Sequence, residues 1–114
     1  MDKTYLTVKE WMESTYNSPL VRPRAICKDG FSVSIQGGTG SHYCRPREHC
    51  NVYEAVELGY PSEPIEELIG YAENKKDLIN TVYGYVPIDE IEDVIKKHGG
   101  IDKEKSNENH KNQD

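Results

Sequence analysis

The stretch around Asp29-Gly30 constrains the fold of this chain most strongly, because it has the pattern of a β-hairpin. The three apolar residues that follow it alternate with polar ones; they are Phe31, Val33 and Ile35. This two-residue period is typical of a strand with one buried face. Asp-Gly between two short strand-like segments indicates a type I′ hairpin turn, and residues 24–27 supply the first of those segments. The sequence therefore predicts an antiparallel hairpin here.

Three segments have helical patterns. Residues 3–17 have the pattern of a short amphipathic helix, and Thr7 could cap its N-terminus with Glu10 three residues later, which is the spacing of a capping box. Residues 62–72 carry a proline in the first turn and one apolar face. Residues 87–98 have acidic side chains at the start and basic ones at the end, and Gly99 ends the helix. Their apolar face consists of Ile88, Ile91, Val94 and Ile95.

Two further segments have the composition of strands. Residues 52–60 carry Glu54 and Glu57 on opposite faces, which favours an exposed edge strand. Residues 78–86 are rich in β-branched and aromatic residues and are interrupted by Gly84. Tyr43-Cys44 fits a short strand that returns to the sheet. The sequence thus predicts the α+β class: a small antiparallel β-sheet of four or five strands with two C-terminal helices and an N-terminal helix.

The length of 114 residues suits one domain. We divide the chain into a loosely attached N-terminal helix or extension (1–19), an α+β ligand-binding domain (20–101) and a polar tail (102–114) that we expect to be disordered. The apolar fraction of 35% is enough for the core of a small domain but not of a large one.

The net charge of −6 is unevenly distributed, since residues 61–114 contain seven lysines against thirteen acids. This balance argues against binding duplex nucleic acid, which requires many phosphate contacts. No run of about eighteen apolar residues occurs, so no membrane-spanning helix is predicted. The first thirteen residues lack a signal-peptide core, and an odd set of three cysteines fits a reducing compartment. We therefore expect a cytoplasmic protein.

All four arginines lie in two Arg-Pro-Arg tripeptides, which contain Arg22 and Arg24, and Arg45 and Arg47. Proline biases the preceding residue to extended geometry, so each tripeptide would hold two guanidinium groups side by side. Guanidinium groups bind phosphate through two parallel hydrogen bonds, and two such pairs could clamp a diphosphate. The alternative is that these arginines form salt bridges with the acidic helices or with a second subunit.

Tyrosine and asparagine side chains near this region could bind a base. Tyr43, Tyr83 and Tyr85 are candidates for stacking, and Asn80 could donate to and accept from a polar edge. On a regular strand Tyr83 and Tyr85 would share one face. The alternative is that the tyrosines pack on a neighbouring strand or on a second subunit. We predict a binding site formed by Arg22, Arg24, Tyr43, Arg45, Arg47, Asn80, Tyr83 and Tyr85.

Other possible sites in the sequence are weaker. The glycine-rich stretch 36–41 lacks the lysine and the following helix of a P-loop. The nearby His42, Cys44, His49 and Cys50 do not have the spacing of a zinc site. Cys27 has no catalytic context and suits core packing. The sequence therefore predicts no catalytic residue, no metal and no cofactor, and it does not predict an enzyme.

Six stretches resemble a family of small bacteriophage proteins over residues 20–101. They are Arg22-Pro23-Arg24, Lys28-Asp29-Gly30-Phe31-Ser32, Tyr43-Cys44-Arg45-Pro46-Arg47, Val56-Glu57-Leu58-Gly59-Tyr60-Pro61-Ser62, Asn80-Thr81-Val82-Tyr83-Gly84-Tyr85-Val86-Pro87 and Lys97-His98-Gly99-Gly100-Ile101. The chain is also similar to the phage Thoeris anti-defence proteins, which sequester a cyclic ADP-ribose signal. That resemblance implies a homo-oligomeric, non-enzymatic nucleotide binder with pockets shared between subunits, acting in the host cytoplasm. No residue of that family's pocket is carried over to this chain.

The sequence thus leads to two functional hypotheses. The first is an anti-defence protein that binds and sequesters a cyclic nucleotide immune signal without degrading it. The second is an acidic protein–protein inhibitor of a host nuclease or another defence enzyme, which would act through its acidic helices. A small hydrolase of the same signal and a zinc-stabilised domain are further alternatives.

Overall fold

The computed structural model describes residues 5–16, 22–38, 43–46, 48 and 52–106. Its elements are, in chain order, β1 (Tyr5–Leu6), α1 (Val8–Ser14), β2 (Ala25–Ile26), β3 (Ser32–Gln36), β4 (Ala55–Gly59), a 3₁₀ helix (Glu66–Tyr71), β5 (Val82–Pro87), α2 (Ile88–Lys97) and β6 (Ile101–Asp102). Strands β2, β3, β4 and β5 form an antiparallel sheet in that order, and β1 pairs with β6. The predicted α+β class is confirmed.

The hairpin is present, but its turn differs from the prediction. The Gly30 N–H donates to the Cys27 carbonyl oxygen at 3.0 Å, and the Cys27 N–H donates to the Phe31 carbonyl oxygen at 2.7 Å. Gly30 has a φ of +98°, whereas neither of the two residues before it has a positive φ. A type I′ turn needs positive φ at both central positions, so this connection is a type I turn followed by a left-handed glycine.

Strand β4 lies between β3 and β5, so the predicted edge position of residues 52–60 is wrong. Both faces of β4 are largely covered, since four of its five residues are buried: Ala55, Val56, Leu58 and Gly59. The prediction failed because it assumed an unbroken two-residue alternation from Glu54 to Glu57. The β4–β5 ladder contains an irregularity between Val56 and Leu58, and Glu57 occupies it.

The N-terminal helix is part of the core, which corrects the prediction of a loosely attached extension. Its Val8, Trp11 and Met12 are at most 1% exposed and belong to the same hydrophobic cluster as the sheet. The predicted capping box of Thr7 and Glu10 is present. The Val8 N–H also donates to the Glu92 carboxylate of α2 at 2.6 Å, so the two helices are joined at their N-terminal halves.

The segment after β4 forms a 3₁₀ helix instead of the predicted α-helix over residues 62–72. Ile65 precedes this segment and offers no side-chain acceptor to its first N–H groups. Leu68 has non-helical dihedral angles, which divide the segment into two short turns. Helix α2, by contrast, buries the predicted residues Ile88, Ile91, Val94 and Ile95, and it ends before the left-handed Gly99 as predicted.

The ordered chain extends beyond the predicted domain end at residue 101. Asp102 is in β6 and is 8% exposed, and one helical turn follows it. The Ser106 side chain is fully buried. Its hydroxyl accepts a hydrogen bond from the Ile26 N–H at 2.8 Å. The predicted polar tail therefore does not begin at residue 102, and its remainder, residues 107–114, lies outside the described residues.

Strand β5 runs through Gly84 and ends at Pro87, although the sequence predicted an interruption there. It begins at Val82, four residues later than predicted, because Asp77 organises residues 77–80 into a turn. The Asp77 carboxylate accepts hydrogen bonds from the backbone N–H groups of Ile79 and Asn80. In the described part of the chain, no helix has both the length and the apolar character needed to cross a membrane.

Candidate functional site

Strand β5 contains a β-bulge, at which its pairing with β4 is irregular. Val56 pairs with Val86 and Leu58 pairs with Tyr83, so one residue of β4 between these pairs is matched by two residues of β5. The extra residue places Gly84 and Tyr85 opposite Glu57. Tyr85 has a φ of +53°, which is an outlier for an aromatic residue. Such strained positions are concentrated at functional sites, and this one brings an aromatic ring to the surface.

Tyr43 packs directly on this bulge. Its carbonyl oxygen accepts a hydrogen bond from the Tyr85 N–H at 2.9 Å, outside the β4–β5 ladder. The two rings meet edge to face, with centroids 5.8 Å apart and an interplanar angle of 78°. A Cβ atom at Gly84 would lie 3.2 Å from the Tyr43 Cβ atom, so only glycine allows this approach without displacement. Gly84, which was predicted to interrupt the strand, therefore leaves room for the Tyr43 side chain.

Arg45 completes the group. Its backbone N–H donates to the Ala55 carbonyl oxygen at 2.9 Å, and its own carbonyl accepts from the Glu54 N–H, so the chain is held beside the start of β4. Its guanidinium carbon lies 5.1 Å from the centroid of the Tyr85 ring, which is a cation–π contact. Both side chains are exposed, that of Tyr85 to 38%. We refer to Tyr43, Arg45 and Tyr85 as the aromatic–arginine cluster.

Glu73 lies at the rim of this cluster, and the sequence analysis did not identify it. The Tyr43 hydroxyl is hydrogen-bonded to the Glu73 carboxylate, which raises the pKa of Tyr43. The Glu73 N–H donates to the Val82 carbonyl oxygen at 3.0 Å, which fixes this residue beside β5. Nothing in the sequence signals the contact, because thirty positions separate the two residues and only the pairing of residues 72 and 73 with β5 brings them together.

The cluster has the chemistry to hold a planar anionic ligand. Guanidinium donors bind phosphate oxygens, and tyrosine rings stack on bases or contact them edge to face. Within the described residues no carboxylate forms an ion pair with Arg45, and the residue is exposed. The cluster is a surface platform rather than an enclosed pocket. A groove of about 580 Å³ among the described residues lies between β1 and α2 and includes none of these residues.

Arg22 is placed differently, since it is only 3% exposed. Its Nε atom donates to the Thr15 hydroxyl oxygen at 2.9 Å, and Nη1 donates to the Gly37 carbonyl oxygen. The guanidinium carbon lies 5.6 Å from the centroid of the Tyr53 ring. Arg22 is therefore a buried residue with neutral partners. It forms neither the predicted side-by-side pair with Arg24 nor the alternative salt bridge to the acidic helices.

Arg24 also bonds within the protein. Its Nε atom donates to the Ser32 hydroxyl oxygen at 2.9 Å, and Nη2 donates to the Tyr60 carbonyl oxygen. Burial lowers the pKa of Arg24. The two arginines of the first tripeptide thus contact different segments instead of forming one side-by-side pair. Arg47, the fourth predicted arginine, lies outside the described residues.

The remaining candidates are separated from the cluster by their environment. Tyr83 is fully buried, its hydroxyl donates to the Leu78 carbonyl oxygen, and burial raises its pKa. The bulge at Gly84 removes the regular alternation that would have placed Tyr83 and Tyr85 on one face. The Asn80 amide donates to the Asp77 carboxylate at 3.0 Å within its own turn. Of the seven predicted residues that the structure describes, it brings together Tyr43, Arg45 and Tyr85.

Cys27 and Cys44 are the cysteines that lie within the described residues, and both are buried. Burial first, and then the Asp29 charge, raise the pKa of the Cys27 thiol to about 12, which matches a core residue and not a nucleophile. Cys44 is buried, and its Sγ atom accepts from the Gly38 N–H at 3.4 Å. The other members of the predicted His/Cys group lie outside the described residues. Those residues contain no group of three His, Cys, Asp or Glu side chains that could hold a metal ion.

Comparisons with known proteins do not add a relative. No protein-family model matches the chain, and neither a curated protein nor a solved structure is significantly similar to it.

Proposed function

We propose that this chain binds a phosphate-bearing cyclic nucleotide at the aromatic–arginine cluster and sequesters it without degrading it. The observation that carries the proposal is the exposed Arg45 guanidinium held over the ring of Tyr85, which itself occupies a strained conformation. In this scheme Arg45 binds phosphate oxygens, and Tyr43 and Tyr85 contact the base. A phage anti-defence protein would use such a site to withhold a cyclic ADP-ribose-type signal in the host cytoplasm.

An open platform buries a ligand poorly, whereas nucleotide pockets usually enclose most of the ligand. The proposal therefore includes a homo-oligomer in which a second subunit covers the cluster. The composition of the cluster supports this, since exposed tyrosine and arginine side chains are enriched at protein–protein interfaces. Size-exclusion chromatography with light scattering, with and without ligand, tests this part independently of affinity.

The proposal is tested by a thermal-shift screen of the full chain against cyclic ADP-ribose isomers and cyclic di- and trinucleotides. A ligand at one hundred times its Kd stabilises the folded state by about 2.7 kcal/mol, which is a shift in Tm of several degrees. Bound ligand is then released by denaturing the protein and analysed by mass. Sequestration returns the nucleotide unchanged, a hydrolase returns a product, and the absence of any shift across the panel contradicts nucleotide binding.

A protein–protein inhibitor is the second candidate, and one observation favours it. The 3₁₀ helix and α2 expose Glu66, Asp89 and Asp93 to solvent, as such an inhibitor requires. Charge reversal at Glu66 and Asp89 should abolish inhibition of a protein target and leave nucleotide binding unchanged. Glu90 is less suitable for this test, because its carboxylate accepts a 2.6 Å hydrogen bond from the Tyr71 hydroxyl and supports the fold.

A further inference from the structure

Arg22 is a buried cation for which the described part of the chain provides no counter-ion. Its exposed fraction is 3%, and its side-chain partners among the described residues are a hydroxyl, a carbonyl and an aromatic ring. None of these groups carries a negative charge. Removing a guanidinium from water costs several kcal/mol unless an opposite charge compensates it. The unmatched charge therefore needs an explanation.

The hydrogen bonds around Arg22 show the same imbalance. Its Nη2 atom is buried and has no hydrogen-bond partner, and among the described residues the only other such side-chain atom is Nε1 of Trp11. Both are donors. Both residues form hydrogen bonds with the Thr15 hydroxyl. This hydroxyl accepts from Arg22 Nε at 2.9 Å and donates to the backbone carbonyl oxygen of Trp11 at 2.7 Å. This part of the core therefore contains more donors than acceptors.

The position of the guanidinium is fixed on its other sides. The Arg22 N–H donates to the Gln36 side-chain oxygen at 2.8 Å, and the Gln36 amide donates back to the Arg22 carbonyl oxygen at 2.9 Å. Gly37 lies against the Tyr53 ring so closely that a Cβ atom there would be 2.8 Å from ring Cε1. The fork of Arg22 is therefore held through Nε and Nη1, and Nη2, which has no partner, remains for a further acceptor.

We propose that Nη2 of Arg22 binds a small oxyanion, a phosphate group, at a buried subsite between the end of α1 and the loop after β3. A phosphate supplies both the missing charge and the missing acceptors. The subsite extends the proposed function and rests on it for the class of ligand, because contacts of Gly37 and Gly38 link the two places. Cys44, next to Arg45, contacts Gly38, and Gly37 contacts Arg22.

The test uses inorganic phosphate as the probe. The Tm of the full chain is measured while sodium phosphate replaces sodium chloride at constant ionic strength, for the wild type and for Arg22→Met, Arg24→Met and Arg45→Ala. We expect phosphate to raise the Tm of the wild type by about 4 °C or more at saturation. The Arg24→Met variant should keep this rise, because the Arg24 guanidinium is bonded within the protein, and Arg22→Met should lose it.

Loss of the phosphate effect in Arg45→Ala and its retention in Arg22→Met would overturn the subsite while supporting the aromatic–arginine cluster. A protein that is stabilised by a nucleotide but shows no phosphate effect dependent on Arg22 would likewise overturn the subsite and support the aromatic–arginine cluster. If Arg22→Met does not fold, the wild-type guanidinium resonances of Arg22 are followed by NMR during a phosphate titration. Saturable shifts confined to Arg22 support the subsite, and their absence shows that Arg22 is a core residue only.

Discussion

The backbone N–H of Tyr85 donates to the carbonyl oxygen of Tyr43 at 2.9 Å, although the two residues are forty-two positions apart. The bond lies outside the β4–β5 ladder because Tyr85 occupies the bulge with a φ of +53°. The same bulge sends the Tyr85 ring to the surface, where Tyr43 and Arg45 contact it. One irregularity in one strand thus assembles the proposed binding site.

The strain at Tyr85 should be measurable by comparing two substitutions. A side chain in the left-handed region costs about 1 kcal/mol relative to glycine. We expect Tyr85→Gly to have a free energy of unfolding about 1 kcal/mol higher than Tyr85→Ala, as measured by urea denaturation. The matched pair Val82→Gly and Val82→Ala, at a regular position of β5, should show the opposite order. An alanine variant at least as stable as the glycine variant at position 85 would contradict the left-handed conformation.

Gly37 should not tolerate a methyl group. A Cβ atom at this position would lie 2.8 Å from Cε1 and 2.9 Å from Cζ of the Tyr53 ring. That ring is buried, and its hydroxyl donates to the Glu48 carbonyl oxygen at 2.8 Å, so it cannot move aside cheaply. We expect Gly37→Ala to lower the free energy of unfolding by about 1 to 3 kcal/mol.

The control for Gly37→Ala is Gly70→Ala. A Cβ atom at Gly70 would meet nothing within 4 Å, and the backbone there does not require glycine. This variant should be neutral or slightly stabilised, because alanine restricts the unfolded chain more than glycine does. Equal losses of stability in the two variants would show that the close packing of Gly37 on Tyr53 is not present in solution.

Helix α1 should be required for folding of the whole domain. Trp11 is fully buried in the common core, so Trp11→Ala should reduce the free energy of unfolding by about 3 to 5 kcal/mol. Lys9→Ala, at an exposed position of the same helix, serves as the control and should change stability little. A fragment of residues 20–101 that unfolds cooperatively with the stability of the full chain would contradict this assignment.

Acid stability should depend on Asp29. Desolvation raises the pKa of this carboxyl, but the hydrogen bonds from the Phe31 N–H and from His98 outweigh it, so the pKa lies below its ordinary value. A carboxyl with a lowered folded-state pKa contributes stability above its unfolded-state pKa of about 3.9 and loses that contribution as the pH falls through the folded value.

The difference in free energy of unfolding between the wild type and Asp29→Asn should therefore be present at pH 5 and should shrink steadily towards pH 2. The asparagine variant still offers an oxygen to the Phe31 N–H, so it isolates the charge. Denaturant titrations at several pH values provide the measurement. A difference that stays constant over this range would mean that the charged form of Asp29 is not favoured by folding.

The sequence predicted those elements whose signals are local. The capping box of Thr7 and Glu10 and the apolar face of α2 depend on residues within one or two turns, and the structure contains both. The hairpin was predicted correctly as a hairpin, but its turn type was not, because Asp-Gly also suits a type I turn followed by a left-handed glycine.

The failures share a different cause, since they concern residues whose surroundings come from distant parts of the chain. The central position of β4 depends on pairing with β5, and the burial of Ser106 depends on a hydrogen bond to Ile26, eighty positions away. At the candidate site, the spacing of Tyr83 and Tyr85 was misread because a bulge changes the alternation. The partner of Tyr43, Glu73, is visible only after the strands have been paired.

The most direct test of the central claim is the Kd of the best-stabilising nucleotide for Arg45→Ala, measured by titration calorimetry. Hydrogen bonds to charged groups contribute about 1.5 to 3 kcal/mol, so this variant should bind at least about tenfold more weakly than the wild type. Lys9→Ala, which removes an exposed positive charge on α1, should bind within about twofold of the wild type on the same scale. Equal Kd values for the wild type and Arg45→Ala would contradict a ligand site at the aromatic–arginine cluster.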